Sequence, residues 1–279
     1  MRAVKLLLSC LLLFLISCTQ APRKTEVKNK DLKKTEAPEK ENVRIGLPKI
    51  AEENILVNFG KFWEYYTENI ELYEDFIAFN SNGKPISKLQ FLSQLKSGLY
   101  FPLILNSKDE QLNYKLVKIP AKADPNISVY MKQFGKEQLA FYHLEGKPAP
   151  AFNFTDVNGK LYTPENTKGK IILFKCWFIN CLPCRQEMPA LNEVVRKYKN
   201  RDDILFISLA IDTKKELQTF LSTTKFDYAT VPNQGKYMSD KLHVSGYPTH
   251  FIINKKGELV RMLPDVAQVE EAIEKELAK

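Results

Sequence analysis

The sequence predicts an α/β protein, with a central mixed sheet flanked by helices and preceded by a small α+β segment. Three observations carry this. From Gly146 onward, short apolar runs alternate with amphipathic stretches at helical spacing. The order strand–helix–strand, then hairpin, then helix, implies a mixed sheet covered on both faces. Residues 49–143 form a separate composition zone, aromatic at its start and strand-like toward its end.

The first residues read as a targeting segment. Arg2 and Lys5 precede an apolar run over 6–16, the shape of a secretory signal. As a helix this run would reach about 16 Å, short of the ~30 Å hydrocarbon core of a bilayer. It closes as Leu15-Ile16-Ser17-Cys18, which resembles the bacterial lipoprotein signal. That resemblance implies a leader over 1–17, a lipid anchor on Cys18 and a place in the cell envelope, facing the periplasm or the cell exterior. An ordinary signal peptide with a cysteine nearby fits the same residues. Cys10 lies inside the run and leaves with the leader on either reading. Outside the cytoplasm the surroundings are oxidising, so cysteine pairs can cycle as disulfides.

Residues 18–48 are rich in Lys, Glu, Pro and Asn and nearly free of aromatic residues. Such a stretch cannot bury enough apolar area to offset its ordering entropy, and is expected to be a flexible tether. It also explains the charge. The chain carries a formal net charge of +8, of which residues 19–50 hold +4 and the leader +2. The remainder is close to neutral for its size, which argues against nucleic acid as a partner.

Residues 49–143 are expected to form an N-terminal α+β domain whose role the sequence does not assign. Phe59, Phe62, Trp63, Tyr65, Tyr66, Tyr73, Phe76 and Phe79 crowd its start. A stacking surface for sugars or bases is one reading; a small aromatic core is the one favoured. Asn82-Gly83-Lys84-Pro85 and Ser97-Gly98 mark turns. A helix is expected over 87–95, with strands over 99–105 and 114–119.

Residues 144–279 carry the main sheet. Phe152 and Phe154 alternate toward an Asp156-Val157-Asn158-Gly159 turn. Strands are expected at 171–174 and 204–211, and helices at 187–198, 214–224 and 266–277. Strands at 249–253 and 258–263 flank Asn254-Lys255-Lys256-Gly257, a hairpin signal.

The chemistry centres on Cys181-Leu182-Pro183-Cys184, which follows a strand and opens a helix. A C-x-x-C at such a junction is a redox signal. Unpaired N–H groups at a helix start favour a thiolate, so Cys181 is the expected nucleophile and Cys184 the thiol that resolves a mixed disulfide. Pro183 costs little there and stiffens the loop. Zinc needs about four ligands. There is no second C-x-x-C, and His143, His243 and His250 are the only histidines, so no metal is expected, nor any cofactor.

Gly146-Lys147-Pro148-Ala149-Pro150-Ala151-Phe152, Asn158-Gly159-Lys160, the Cys181–Cys184 motif with Arg185-Gln186-Glu187-Met188-Pro189, and Gly246-Tyr247-Pro248-Thr249 appear in order. Together they resemble the TlpA/ResA family of thioredoxin-fold thiol–disulfide oxidoreductases, over about residues 144–279. The resemblance implies a thioredoxin-like fold and a membrane-tethered reductase of protein disulfides. It also implies re-reduction by a membrane thiol electron donor. It makes Pro248 a cis-proline facing the disulfide, with Tyr247 and Thr249 beside the substrate chain. It assigns Glu187 a part in proton movement, although a first-turn acid favoured by the helix dipole fits equally. Trp177 matches a family tryptophan and should pack beneath the loop. Asn180 stands where many relatives have tryptophan, and Lys175 where thioredoxin has a buried aspartate. Lys175 either assists a thiolate or turns outward. Cys176 is expected to be a small buried apolar residue.

Two other functions fit parts of the chain. The Pro148-Ala149-Pro150-Ala151-Phe152 opening also resembles peroxiredoxins, but their P-x-x-x-T-x-x-C context is absent before Cys181. A surface binding protein, docking a partner on its aromatic segment and using the dithiol as a redox switch, is the other.

Overall fold

The computed structural model describes residues 46–108 and 111–279. The leader, Cys18 and the tether up to residue 45 lie outside the described residues. Among the described residues no helix is long and apolar enough to cross a membrane.

The aromatic segment folds around its own rings. Helix α1 (Glu52–Ile55) leads into α2 (Phe59–Asn69), whose first turn is capped by the Asn58 side chain accepting from the Lys61 N–H at 2.9 Å. Strands β1 (Phe76–Phe79) and β2 (Pro85–Ile86) form a hairpin around Gly83, which takes a left-handed φ of 77°. Ser87 and Gln90 form a capping box that starts α3 (Lys88–Leu95). Strands β3 (Tyr100–Ile104) and β4 (Leu112–Lys118) complete a sheet of order β2-β1-β4-β3, in which β1 runs parallel to β4. Phe62, Phe79, Phe91, Phe101 and Tyr114 are fully buried, so most of the aromatic crowd is core. Trp63 stays 40% exposed at its rim, packed with Phe59, Tyr130 and Phe134.

A long helix, α4 (Pro125–Leu144), then runs to the junction with the main sheet. The sequence reading placed no element there. Asp124 caps it and Pro125 opens it, but Gly135 and scattered polar residues hide its periodicity. Gly135 is required by proximity. A Cβ there would lie 2.5 Å from the Leu95 carbonyl carbon and the Lys96 nitrogen, so the glycine lets α3 lie directly on α4.

The second part begins with the short strands β5 (Lys147–Pro148), β6 (Phe154–Thr155) and β7 (Leu161–Tyr162). Strand β8 (Ile171–Trp177) leads to α5 (Leu182–Gln186) and α6 (Met188–Lys197). Then come β9 (Ile204–Ala210), α7 (Lys214–Leu221), β10 (Ala229–Val231) and α8 (Gly235–Asp240). Strands β11 (Thr249–Ile253) and β12 (Glu258–Leu263) precede a 3-10 turn that runs into α9 (Val269–Leu277). The sheet order is β10-β9-β8-β11-β12-β5, with β8, β9 and β10 parallel and β11, β12 and β5 antiparallel. This is the thioredoxin-like mixed sheet the sequence predicts, lengthened at both edges by β10 and β5.

The structure departs from the sequence reading at one helix that matters. The helix expected over 187–198 is two helices, parted at Glu187. Pro189 has no N–H to give the Arg185 carbonyl, so the ladder breaks there and α6 restarts at Met188. The strand expected over 171–174 continues to Trp177, and all seven residues of β8 are buried.

The two parts share packing. Phe141 of α4 lies on Phe251 of β11, ring centres 6.2 Å apart. Tyr73 joins the core beneath α9, and Arg261 pairs with Glu74 at 3.1 Å. In the second half of α4, the Glu137 carboxylate accepts from the Ser245 hydroxyl at 2.7 Å.

Candidate active site

Cys181 is the N-cap of α5, with extended backbone dihedrals. Its Sγ accepts from the Cys184 backbone N–H at 3.2 Å. The two cysteines are joined as a disulfide with Cα atoms 5.3 Å apart. Both are buried, Cys181 with 5% exposure and Cys184 with none. Pro183 sits in the first turn, and Leu182 beside it is 61% exposed. The loop ahead of the pair is pinned by Asp212, whose Oδ2 accepts from the Ile179 N–H at 2.8 Å.

A second loop meets the first. The Tyr247–Pro248 peptide bond is cis. The Tyr247 ring stands edge-on to Phe178 at 5.5 Å and packs in the same cluster as Cys181 and Cys184. Thr249 is tied locally: its hydroxyl donates to the Gly246 carbonyl at 2.8 Å, and its backbone pairs with Cys176 across the β8–β11 ladder. The structure thus brings Cys181, Pro183, Cys184, Tyr247, Pro248 and Thr249 to one end of the sheet.

Glu187 is not held as a simple first-turn acid. It lies at the α5–α6 junction and makes no capping bond with its side chain. The carboxylate is buried and ion-paired with Lys175, and His250 Nε2 stands 3.2 Å away. Lys175 turns inward rather than outward. It has no exposed surface, and its Nζ donates both to Glu187 and, at 3.1 Å, to the Cys184 carbonyl. The positions are set by register, since His250 and Lys175 are direct partners across β11 and β8.

The electrostatics follow from burial and pairing. Burial is the largest influence on Glu187 and pushes its carboxyl up. Hydrogen bonding and charge from His250 and Lys175 outweigh this and hold it below its usual range. Burial lowers the Lys175 ammonium, and Glu187 only partly offsets that. Burial also lowers His250 below 6.5, against the pull of Glu187. His250 is therefore neutral near pH 7, and its Nδ1 has no hydrogen-bond partner among the described residues. Cys176, on the opposite face of β8, is a free buried thiol pushed up by burial, which suits the apolar role expected for it. Trp177 is fully buried against Phe220 and Phe226. Among the described residues no group of three or more His, Cys, Asp or Glu side chains is arranged to hold a metal ion.

His250 and Asp212 escaped the sequence reading. The available signal was an uncompensated lysine inside an apolar strand, which demands partners that only the register of β11 reveals.

Residues 146–262 match the AhpC/TSA family. The thiol–disulfide oxidoreductase ResA of Bacillus thuringiensis (strain Al Hakam) is 31% identical over 118 residues, covering 42% of this chain and 68% of that protein. ResA of Bacillus cereus (strain ATCC 10987 / NRS 248) is 29% identical over 152 residues, covering 54% and 86%. Among solved structures, the thioredoxin domain of a thiol–disulfide oxidoreductase from Bacteroides vulgatus covers 47% of this chain and 96% of its own, at 21% identity and a TM-score of 0.43. With a bonded cysteine pair at a helix start in a mixed sheet, and ResA relatives matched over two thirds of their length, the chain belongs to the TlpA/ResA-like family of thioredoxin-fold thiol–disulfide oxidoreductases.

Proposed function

We propose that this protein is a lipid-anchored reductase of disulfides in cell-envelope proteins, with Cys181 attacking and Cys184 resolving. The observation that supports the roles is the asymmetry of the pair: Cys181 retains 5% exposure and accepts an N–H bond, while Cys184 is fully buried. In the reduced enzyme, that N–H bond and the start of α5 favour a thiolate at Cys181.

The thiolate attacks one sulfur of a substrate disulfide, forming a mixed disulfide and expelling the other substrate sulfur as a thiolate, which takes a proton. Cys184, losing its proton, then attacks the Cys181 sulfur. The Cys181–Cys184 bond forms, the mixed disulfide breaks, and the second substrate sulfur leaves. Two electrons pass from enzyme dithiol to substrate disulfide. A membrane thiol donor restores the dithiol by the same exchange in reverse. The Tyr247 backbone, held next to the pair by its ring contact with Phe178, is suited to strand-like pairing with a substrate segment. Glu187 manages protons at the buried sulfur.

Insulin reduction with wild type, Cys181→Ser and Cys184→Ser tests this. Both variants should fall to the uncatalysed rate, and Cys184→Ser should accumulate mixed disulfides; equal activity in all three defeats the reading. In the same series Cys18→Ser should leave the membrane fraction, and retention there would remove the anchor. Peroxide consumption faster than insulin reduction would favour a peroxidase instead.

A further inference from the structure

Lys175 is the only charged residue in β8, a strand whose other six residues are apolar. Burying an ammonium is costly, and a buried ion pair is a poor source of stability, since apolar side chains of similar volume often serve better. Its location offers another reason for its presence. Among the described residues, the Nζ donates to two groups: the carbonyl of the residue that carries the fully buried sulfur, and Glu187.

We propose that Lys175 is a positioning residue for the redox reaction. Its buried ammonium, held between the Cys184 carbonyl and the Glu187 carboxylate, is a fixed positive charge that favours the reduced, anionic state of the dithiol. This rests on the reading that Cys181 and Cys184 cycle. Opening the disulfide with two electrons and one proton from two molecules of reduced glutathione, which leave as glutathione disulfide and release a second proton to solvent, gives one thiolate and one thiol. The negative charge so created sits at a nearly dry site, where a fixed cation counts for far more than in water.

Glu187 opposes Lys175 and sets how much of its charge the sulfurs feel. The groups facing this cluster come from several elements. His250 on β11 is neutral and donates to Glu187 from Nε2. The Tyr228 hydroxyl, ahead of β10, has no hydrogen-bond partner among the described residues and feels the Glu187 charge. Cys176 feels the Lys175 and Glu137 charges, and Asp265 favours the protonated form of His250. Of all these, Lys175 is the cation, ion-paired with the Glu187 carboxylate.

The test uses the sign of the effect. On the full chain, the thiol pKa of Cys181 is read from the pH dependence of iodoacetamide alkylation, and the dithiol–disulfide equilibrium is read against glutathione. Lys175→Met should raise the thiol pKa and shift the equilibrium about tenfold toward the disulfide. Glu187→Gln, which leaves the lysine unopposed at nearly constant volume, should lower the thiol pKa and shift the equilibrium the other way. The double variant should fall between the two. Loosened packing would move both single variants in one direction or neither, and either result overturns the proposal. If Lys175→Met fails to fold, Glu187→Gln decides alone: an unchanged or raised thiol pKa overturns it. A wild-type pair that does not exchange with glutathione would sink the underlying redox reading before any variant is compared.

Discussion

His250 shows how one side chain ties pH to stability. The unfolded chain takes up a proton on this residue near 6.5, whereas the folded protein, having buried the ring, does so only at lower pH. Between those points the unfolded state binds more protons, so stability falls as pH falls from about 6.5. Glu187 acts in the same direction, but only below its ordinary value of 4.5. The urea midpoint should therefore be lower at pH 5 than at pH 7.5, and His250→Gln should narrow that gap. A gap of unchanged size would show that the ring is not the group responsible. At this scale the sequence was legible where chemistry is local. The Cys181–Cys184 spacing announces itself, whereas the Tyr247-Pro248 step alone reads as an ordinary turn and gains its meaning only from the family resemblance. The partnership of Lys175, Glu187 and His250 does not, because it depends on which strand lies beside β8.

Among the elements, α3 and α4 meet where only a glycine fits. Alanine is the better helix former by about 1 kcal/mol, so propensity alone would favour Gly135→Ala. The added Cβ would instead run into the backbone of Leu95 and Lys96, which cannot yield as a flexible side chain would. The variant should lose about 1–3 kcal/mol, read from chemical denaturation, and a gain in stability would refute the close-approach account. Elements with a strong period or a turn signal, such as α6 and the β11–β12 hairpin, could be placed from sequence. The long α4 could not, because its glycine and mixed polarity mask a helix that is stabilised by what it packs against. The three-residue β10 and two-residue β5 are too short to show a period at all.

For the molecule as a whole, the sequence separated 49–143 from 144–279 on composition, and we propose that these parts are nonetheless thermodynamically coupled. Phe141 lies in the core of the main sheet, and Tyr73 in the core under α9. Phe141→Ala should cost about 3–5 kcal/mol, as for other large core truncations, and the loss should lower one shared transition rather than split it. Two separate transitions in wild type would show that the parts fold independently. Composition reports the seam because the aromatic segment has its own core; it is silent on the side chains that cross it.

The bond between Ser245 and Glu137 spans that seam at a sensitive place. Ser245 comes two residues before Tyr247, and its hydroxyl, its N–H and its carbonyl are all engaged by α4, through Glu137 and Gln133. The long helix therefore holds the segment that leads into the cis-proline loop. Any shift of that helix pulls, through three hydrogen bonds, on the backbone just ahead of the cis Tyr247–Pro248 peptide.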